Sequence, residues 1–116
     1  MGGKYERTGY IFPLREPQAG EEQVLGLLQR VDCDARGVTF IVKVGDQLLK
    51  LRATDLNDIK FTSYTTDVSG EMTCGARKPA DHVVVIYRPA KEARARFDGT
   101  PVSIEFVPKD FELKKQ

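Results

Sequence analysis

The stretch GVTFIVKVGDQLLKLRA, residues 37–53, is the most informative part of the chain for its fold. Apolar residues largely alternate with other residues on both sides of a Gly-Asp pair, Gly45 and Asp46. A period of two places alternate side chains on the same face of a β-strand, and Gly-Asp between two such runs is typical of a hairpin turn. The stretch therefore predicts two antiparallel strands with inward residues Val38, Phe40, Val42, Val44, Leu49, Leu51 and Ala53.

A further strand is predicted before the hairpin, over VLGLLQRVDC, residues 24–33. The following DARG, residues 34–37, is a predicted turn, because Gly37 adopts positive φ values without steric cost. The three strands together form a predicted meander. The alternation rule predicts that four residues of the first strand face inward: Leu25, Leu27, Val31 and Cys33.

A short helical element is predicted after the meander, in TDLNDIKF. Thr54 or Asp55 is a candidate cap for a single helical turn that points Leu56 and Ile59 inward. The next residues, IKFTSYT, predict a short strand, and EMTCG predicts a return to extended structure.

The second half of the chain predicts two more strands. HVVVIYRP, residues 82–89, is apolar on both faces, which is typical of a central, covered strand. We expect a loop before it over residues 76–81 and a short surface helix after it over residues 90–97, where Ala, Lys, Glu and Arg are good helix formers. The last strand, VSIEFV, is predicted to place inward Val102, Ile104 and Phe106.

This order of elements predicts an all-β domain, or a β domain with one short helix. It matches a small barrel of the OB type with roughly five to six strands, in which a helix lies between the third and fourth strands. An SH3-like barrel and a small sandwich are the alternatives, because one helical turn is short for that position. The barrel is expected over residues 23–108. A linker or lead-in segment (residues 1–22) with an apolar hook at Tyr10–Phe12 precedes it, and a charged tail (residues 109–116) follows.

Composition and charge restrict the classes of function. A chain of 116 residues suits one domain, and 41% hydrophobic with 30% charged residues is typical of a globular protein. The 18 basic residues nearly balance the 17 acidic ones, so we expect no overall attraction to nucleic acid or to an anionic membrane. No stretch approaches the roughly 18 apolar residues of a membrane-spanning helix, and no membrane partner is expected.

The two cysteines, Cys33 in VDCDA and Cys74 in MTCGA, leave several kinds of site open. Alternation points Cys33 away from both neighbouring aspartates, which favours a buried, inert thiol. A disulfide between Cys33 and Cys74 is the first alternative, because both lie near strand ends. It would indicate a periplasmic or secreted protein, whereas free thiols would indicate the cytoplasm. A zinc site or a reactive thiol would need His82, the only histidine, and the spacing supports neither.

Basic residues form another candidate site. Lys43, Lys50 and Arg52 share the outward face of the second and third predicted strands, the face that binds oligonucleotides in OB barrels. Candidates to extend this patch are Arg30, Lys60 and Arg88. Single-strand binding also requires stacking platforms, and Ile41 and Tyr64 are the only apolar contacts expected there. Nucleic-acid binding is therefore the alternative to an ordinary solvated sheet face.

No catalytic set is apparent. The sequence contains no G-x-S-x-G, H-E-x-x-H or phosphate-loop motif, and Gly37 and Gly45 lie at turns rather than at a helix N-terminus. We therefore expect no enzymatic activity, no cofactor and no metal. The leading hypothesis is a non-enzymatic module that binds a protein or a neighbouring domain. Nucleic-acid binding, or a metal or redox site at the two cysteines, are the alternatives.

A strand ending in VDC, a hairpin, DLNDIKF, MTCG and VVVIYRP are spread over residues 22–107. This pattern resembles a class of bacterial β domains at the C-terminal ends of tetratricopeptide-repeat proteins. The resemblance implies an accessory module of a larger bacterial chain, connected with protein assembly. It implies no functional residue, and it leaves open whether Cys33 and Cys74 pair.

Overall fold

β-Strands account for most of the computed structural model of the chain. The structure describes residues 5–7, 10–12, 14–65, 73–92, 96–109 and 111. The elements in these residues are β1 (Tyr5–Arg7), β2 (Tyr10–Phe12), β3 (Glu22–Asp34), β4 (Gly37–Val44), β5 (Gln47–Ala53), a 3-10 turn (Leu56–Asp58), β6 (Lys60–Ser63), β7 (Gly75–Pro89) and β8 (Gly99–Phe106). The described part of the chain contains no helix of the length and apolarity that crossing a membrane requires.

Strands β3 to β8 form one sheet that partly closes on itself. The hydrogen-bonded order is β5-β4-β3-β7-β8-β6, and β5 also pairs in parallel with β8 where Leu51 meets Gly99. This contact joins five strands into a ring, and β6 continues the pairing with β8 in parallel. Closure removes strand edges that would otherwise pair with other chains. The structure confirms the predicted fold class, a small all-β domain of barrel or sandwich type.

The β4–β5 hairpin has the predicted turn and inward faces. Val44 pairs with Gln47, so Gly45 and Asp46 form the two-residue turn, and Gly45 has a φ of 61°. Positive φ is the conformation that glycine adopts without strain. The predicted inward residues of both strands are buried in the barrel interior or pack against it: Val38, Phe40, Val42, Val44, Leu49, Leu51 and Ala53.

Strand β3 departs from its predicted alternation at a β-bulge. Gln29 is an extra residue on β3, at a shift in the register with β4. A bulge of this kind moves the side-chain alternation by one residue. Leu28 and Val31 are therefore both fully buried, although their positions differ by three and simple alternation would place them on opposite faces. The prediction that Leu25 and Leu27 face the barrel interior is wrong, because the bulge places them on the outer side.

Strands β7 and β8 complete the barrel interior. Ile104 and Phe106 are fully buried there, as predicted. Val102 lies at a second register shift, between β7 and β8, and is only half-buried. Phe40, also fully buried, approaches Phe61 with ring centroids 6.3 Å apart. Burying a large apolar side chain of this kind stabilises the fold by about 1.5–3 kcal/mol.

A second apolar layer covers the outer side of β7. Its buried members are Leu14, Val84, Val107 and Phe111, and Leu25 and Tyr64 pack against them. Residues 83–87 are consequently buried on both faces of β7, which confirms the predicted central strand. Leu14 comes from the expected lead-in segment and Phe111 from the expected tail. The side chains of Tyr10–Phe12, the expected hook, lie outside the described residues.

The predicted helical turn is present after β5. The Asp55 carboxylate caps it by accepting a hydrogen bond of 2.9 Å from the backbone N–H of Asn57. Leu56 is half-buried and Ile59 is buried, as the sequence predicts. Strand β6 follows the turn and pairs in parallel with β8.

Two predictions for the segments that flank HVVVIYRP are wrong. Residues 76–81, expected in a loop, lie within β7. The pairing of β7 with β3 shifts register between Leu28–Asp81 and Arg30–Ala76, so residues 77–80 bulge out of the pairing before it resumes at Ala76 and Gly75. The described part of residues 90–97 contains bends and no helix. A hydrogen bond of 2.8 Å from the Ala90 N–H to the Asp98 carbonyl closes this segment as a loop. Residues 93–95 lie outside the described part.

Candidate binding surface

The outer side of β3, β4 and β5 presents nine side chains in three cross-strand rows, here called the β3–β5 face. The strand registers give the rows as Leu27, Lys43 and Leu48, then Arg30, Ile41 and Lys50, then Asp32, Thr39 and Arg52. Their neighbours along each strand point mainly into the barrel interior, so these side chains point outward. The face therefore combines apolar and basic groups.

An apolar patch lies on this face. Leu48 is 53% exposed, and it is the only large hydrophobic residue with that degree of exposure in the part of the chain that the structure describes. Leu27 lies in the same row as Leu48 and Ile41 lies in the next row, and both are half-buried. Covering the exposed part of Leu48 with a partner would contribute about 1 kcal/mol.

Two of the three predicted basic residues present free charges beside this patch. Lys43 and Lys50 are exposed, and neither forms an ion pair within the described residues. Lys50 is the direct cross-strand partner of Ile41. Arg30 lies in the same row, but its charge is paired with the Asp32 carboxylate.

Arg52, the third predicted residue, lies on the same face in a different role. Its Nη1 donates to Thr39 Oγ1 at 2.7 Å, and its Nη2 donates to Asp34 Oδ1 at 2.8 Å. Its guanidinium carbon also lies 5.3 Å from the centroid of the Phe97 ring. The Arg52 hydrogen bond and the backbone N–H of Arg36 lower the pKa of Asp34 to about 2. Arg52 is therefore fixed by its neighbours, and Asp34 compensates its charge.

The loop between β7 and β8 is attached to the edge of this face by Asp98. The Lys50 N–H donates to Asp98 Oδ2 at 2.7 Å, and the Asp98 N–H donates to the Lys50 carbonyl at 2.7 Å. These bonds bring Phe97 against Arg52. The sequence reasoning missed this contact, and the available signal was the Asp-Gly pair at residues 98–99, which is typical of a turn.

The other residues proposed for the patch lie elsewhere. Lys60 is on β6, which does not adjoin β4 or β5. Tyr64 is on the far side of the sheet, where its hydroxyl donates to Glu105 Oε2 at 3.3 Å. Arg88 is on β7, and its Nη2 lies 3.6 Å from a Glu21 carboxylate oxygen. The face therefore has no aromatic platform other than Phe97 among the described residues.

Cys33 and Cys74 are joined by a disulfide. Cys33 is the cross-strand partner of Val38, so alternation does place it on the inner side of β3. It lies at the end of the strand, however, and both cysteines are exposed. The prediction of a buried free thiol is wrong for this reason. In the disulfide neither sulfur is a thiolate, the form that binds metals and acts as a nucleophile.

His82 does not join the cysteines in a site. It is half-buried on β7 and pairs with Leu27, whereas Cys33 lies near the far end of β3. Within the described ranges, no group of three or more His, Cys, Asp or Glu side chains is arranged to hold a metal ion.

A surface concavity of about 540 Å³ lies beside His82. Its charged groups include Arg77 and Asp81, which form an ion pair with each other. The Arg77 guanidinium also lies 5.9 Å from the centroid of the Phe106 ring. These contacts fix the two side chains within the fold.

Glu105 is a buried charged group under the second apolar layer. It is 3% exposed, and its two carboxylate oxygens accept the Arg15 N–H at 3.3 and 3.1 Å. Burial raises the pKa of Glu105, and the hydrogen bonds from Arg15 and Tyr64 only partly oppose this. Burial and the nearby Glu105 charge also raise the pKa of Tyr64. These groups attach the segment at Leu14 to β8, so their role is structural.

Comparison with known proteins supplies no functional residue for this surface. No protein-family model, curated protein or solved structure matches the chain.

Proposed function

We propose that this domain is a non-enzymatic accessory module of a larger bacterial protein, which binds another protein or a neighbouring domain through the β3–β5 face. The observation that carries the proposal is the exposed Leu48 in a patch with Ile41 and Leu27. Exposed apolar groups surrounded by polar ones are typical of protein-binding surfaces. The disulfide supports a periplasmic or secreted location for the module.

The charges beside the patch define the partner that fits. Lys43 and Lys50 carry free positive charges next to Ile41, Lys43 two residues along β4 and Lys50 directly across on β5. A complementary partner would therefore present apolar side chains flanked by carboxylates. Rim charges of this kind steer association and select partners more than they raise affinity.

We further propose that the barrel is of the OB type. Five strands close into a ring, the 3-10 turn lies between the third and fourth of them, and a parallel pair completes the closure. This agrees with a five-stranded, partly open Greek-key barrel. On this assignment β4 and β5 are the strands whose outer face binds ligands in such barrels.

Variants on the face test the protein-binding proposal. Leu48→Asp removes the exposed apolar group and adds a charge, and the control Thr62→Asp adds the same charge at an exposed position on β6. Proteins captured from an extract of the source organism by the unmodified domain and by the control should be lost with Leu48→Asp. With a purified partner, we expect Leu48→Asp to weaken binding about tenfold or more. Equal binding by both variants would exclude the β3–β5 face.

Single-stranded nucleic acid is the second candidate, and the exposed Lys43 and Lys50 on adjacent strands support it. Fluorescence anisotropy with short oligonucleotides at low salt tests it, because phosphate contacts are strongest there. We expect binding that weakens with added salt and with Lys43→Glu and Lys50→Glu. Absence of binding at high micromolar protein would exclude this function.

A further inference from the structure

A separate concavity of about 330 Å³ lies beside the β3–β5 face, between the β7–β8 loop and the strands that the loop connects. Three arginines line it, together with an aromatic ring and a hydroxyl group. These residues are Arg52, Arg88, Arg96, Phe97 and Thr100. We propose that this concavity binds a phosphoryl group of a small phosphorylated molecule.

The strand pairing sets the positions of the polar groups. Arg88 and Thr100 are direct cross-strand partners on β7 and β8, and both are exposed. Their close approach depends on Gly99, because a Cβ atom there would lie 2.3 Å from the Arg88 carbonyl oxygen. Arg88 and Thr100 thus offer guanidinium and hydroxyl donors side by side on rigid strands.

The β7–β8 loop contributes Arg96 and Phe97 to the lining of the concavity. Asp98 attaches the loop to β5 through its two hydrogen bonds with Lys50, and Phe97 stacks under the Arg52 guanidinium. Arg96, the residue before Phe97, is exposed and forms no ion pair within the described residues. The site therefore contains a fixed arginine, a stacked ring and one arginine with all its donors available.

The available guanidinium donors favour an oxyanion. Asp34 compensates Arg52, and Glu21 contacts Arg88 at 3.6 Å, beyond ordinary hydrogen-bond length. Arg96 has no ion-pair partner among the described residues, and the Asp98 carboxylate is directed toward the backbone N–H of Lys50. Guanidinium groups bind phosphate through paired hydrogen bonds, and an anion would satisfy donors of Arg88 and Arg96 together.

The shape favours a small ligand over a nucleic-acid strand. The three guanidinium groups border one concavity, whereas a strand needs cations spread along a track. A volume of about 330 Å³ is at the small end of the range for small-molecule sites. This proposal is independent of the protein-binding proposal, because Leu48 and Lys43 do not border the concavity.

Titration with sodium pyrophosphate, followed by ¹H–¹⁵N NMR at ionic strength matched with sodium chloride, tests the proposal. We expect saturable shifts in the amides of Phe97 and Thr100 and in the side-chain N–H signals of Arg88 and Arg96. Arg96→Ala and Arg88→Ala should each weaken binding about tenfold, since each removes charged hydrogen-bond donors. Arg36→Ala, which removes the same charge from an exposed turn, should leave the affinity unchanged.

Three outcomes would overturn the proposal. The first is the absence of saturable shifts at tens of millimolar pyrophosphate. The second is an equal loss of affinity with Arg36→Ala, which would indicate attraction by net charge alone. The third is binding of an oligothymidylate that depends on Arg96 while pyrophosphate does not bind, which would assign the concavity to a nucleic-acid strand. None of these results bears on the Leu48 experiment.

Discussion

Replacement of both cysteines by serine should remove about 4 kcal/mol of stability. The disulfide joins residues separated by 41 positions. In the chain-entropy relation, a closed loop of that length lowers the entropy of the unfolded chain by about 13 cal/mol/K, which corresponds to about 4 kcal/mol at 25 °C. Both cysteines are exposed, so Cys33→Ser and Cys74→Ser leave no cavity in the barrel.

The loss of stability converts into a large change in Tm. At about 2.1 cal/mol/K per residue, the unfolding entropy of 116 residues is about 0.24 kcal/mol/K. A decrease of about 4 kcal/mol then lowers Tm by about 16 °C. Urea and thermal unfolding of the oxidised protein and the double serine variant, followed by circular dichroism, measure both quantities.

The control is the unmodified protein under reducing conditions, which should unfold like the double serine variant. Equal stability of the oxidised protein and the serine variant, within about 1 kcal/mol, would refute the chain-entropy reasoning. Two free thiols in protein purified without reductant would refute the pairing itself, and with it the inferred oxidising compartment.

Three further predictions concern the fold. Phe40→Ala, at a fully buried position, should destabilise the domain by about 3–5 kcal/mol in urea unfolding, and a loss below about 1 kcal/mol would show that the barrel interior repacks. Gly99→Ala should cost about 1–3 kcal/mol in the same assay, because its Cβ would meet the Arg88 carbonyl; an unchanged unfolding midpoint would contradict this close approach. Burial raises the pKa of Glu105 above its ordinary value of 4.5, so the folded state binds this proton more tightly than the unfolded chain. The free energy of unfolding should therefore decrease as the pH rises from 4.5 through the raised pKa. Urea unfolding measured across that pH range should show a weaker decrease for Glu105→Gln. An identical pH dependence in both proteins would contradict the assignment of the effect to Glu105.

Local sequence predicts the hairpin because its determinants are neighbours in the chain. Alternation from Val38 to Ala53 selects the buried face, and Gly45-Asp46 supplies the turn conformation. The same local information identifies Lys43 and Lys50 as outward residues. It does not identify Leu48 as exposed, since exposure depends on whether another segment covers that part of the face.

Features that depend on distant segments were not predictable in this way. The bulge at Gln29 changes which face of the sheet Leu25 and Leu27 occupy, and the neighbouring residues do not predict a bulge there. The second layer joins Leu14 and Phe111 from opposite ends of the described chain. The attachment of Asp98 to Lys50 likewise depends on closure of the barrel.

By itself, the sequence determined that this protein is a small all-β domain with a β4–β5 hairpin, since periodicity and turn chemistry act over a few residues. Tertiary structure alone decided that Cys33 forms a disulfide with Cys74 instead of being a buried free thiol. It also decided that Asp34 and Phe97 hold the Arg52 side chain in place. The physical reason is that these contacts form between segments brought together by closure of the sheet, and their distances are set by strand register and bulges rather than by spacing along the chain.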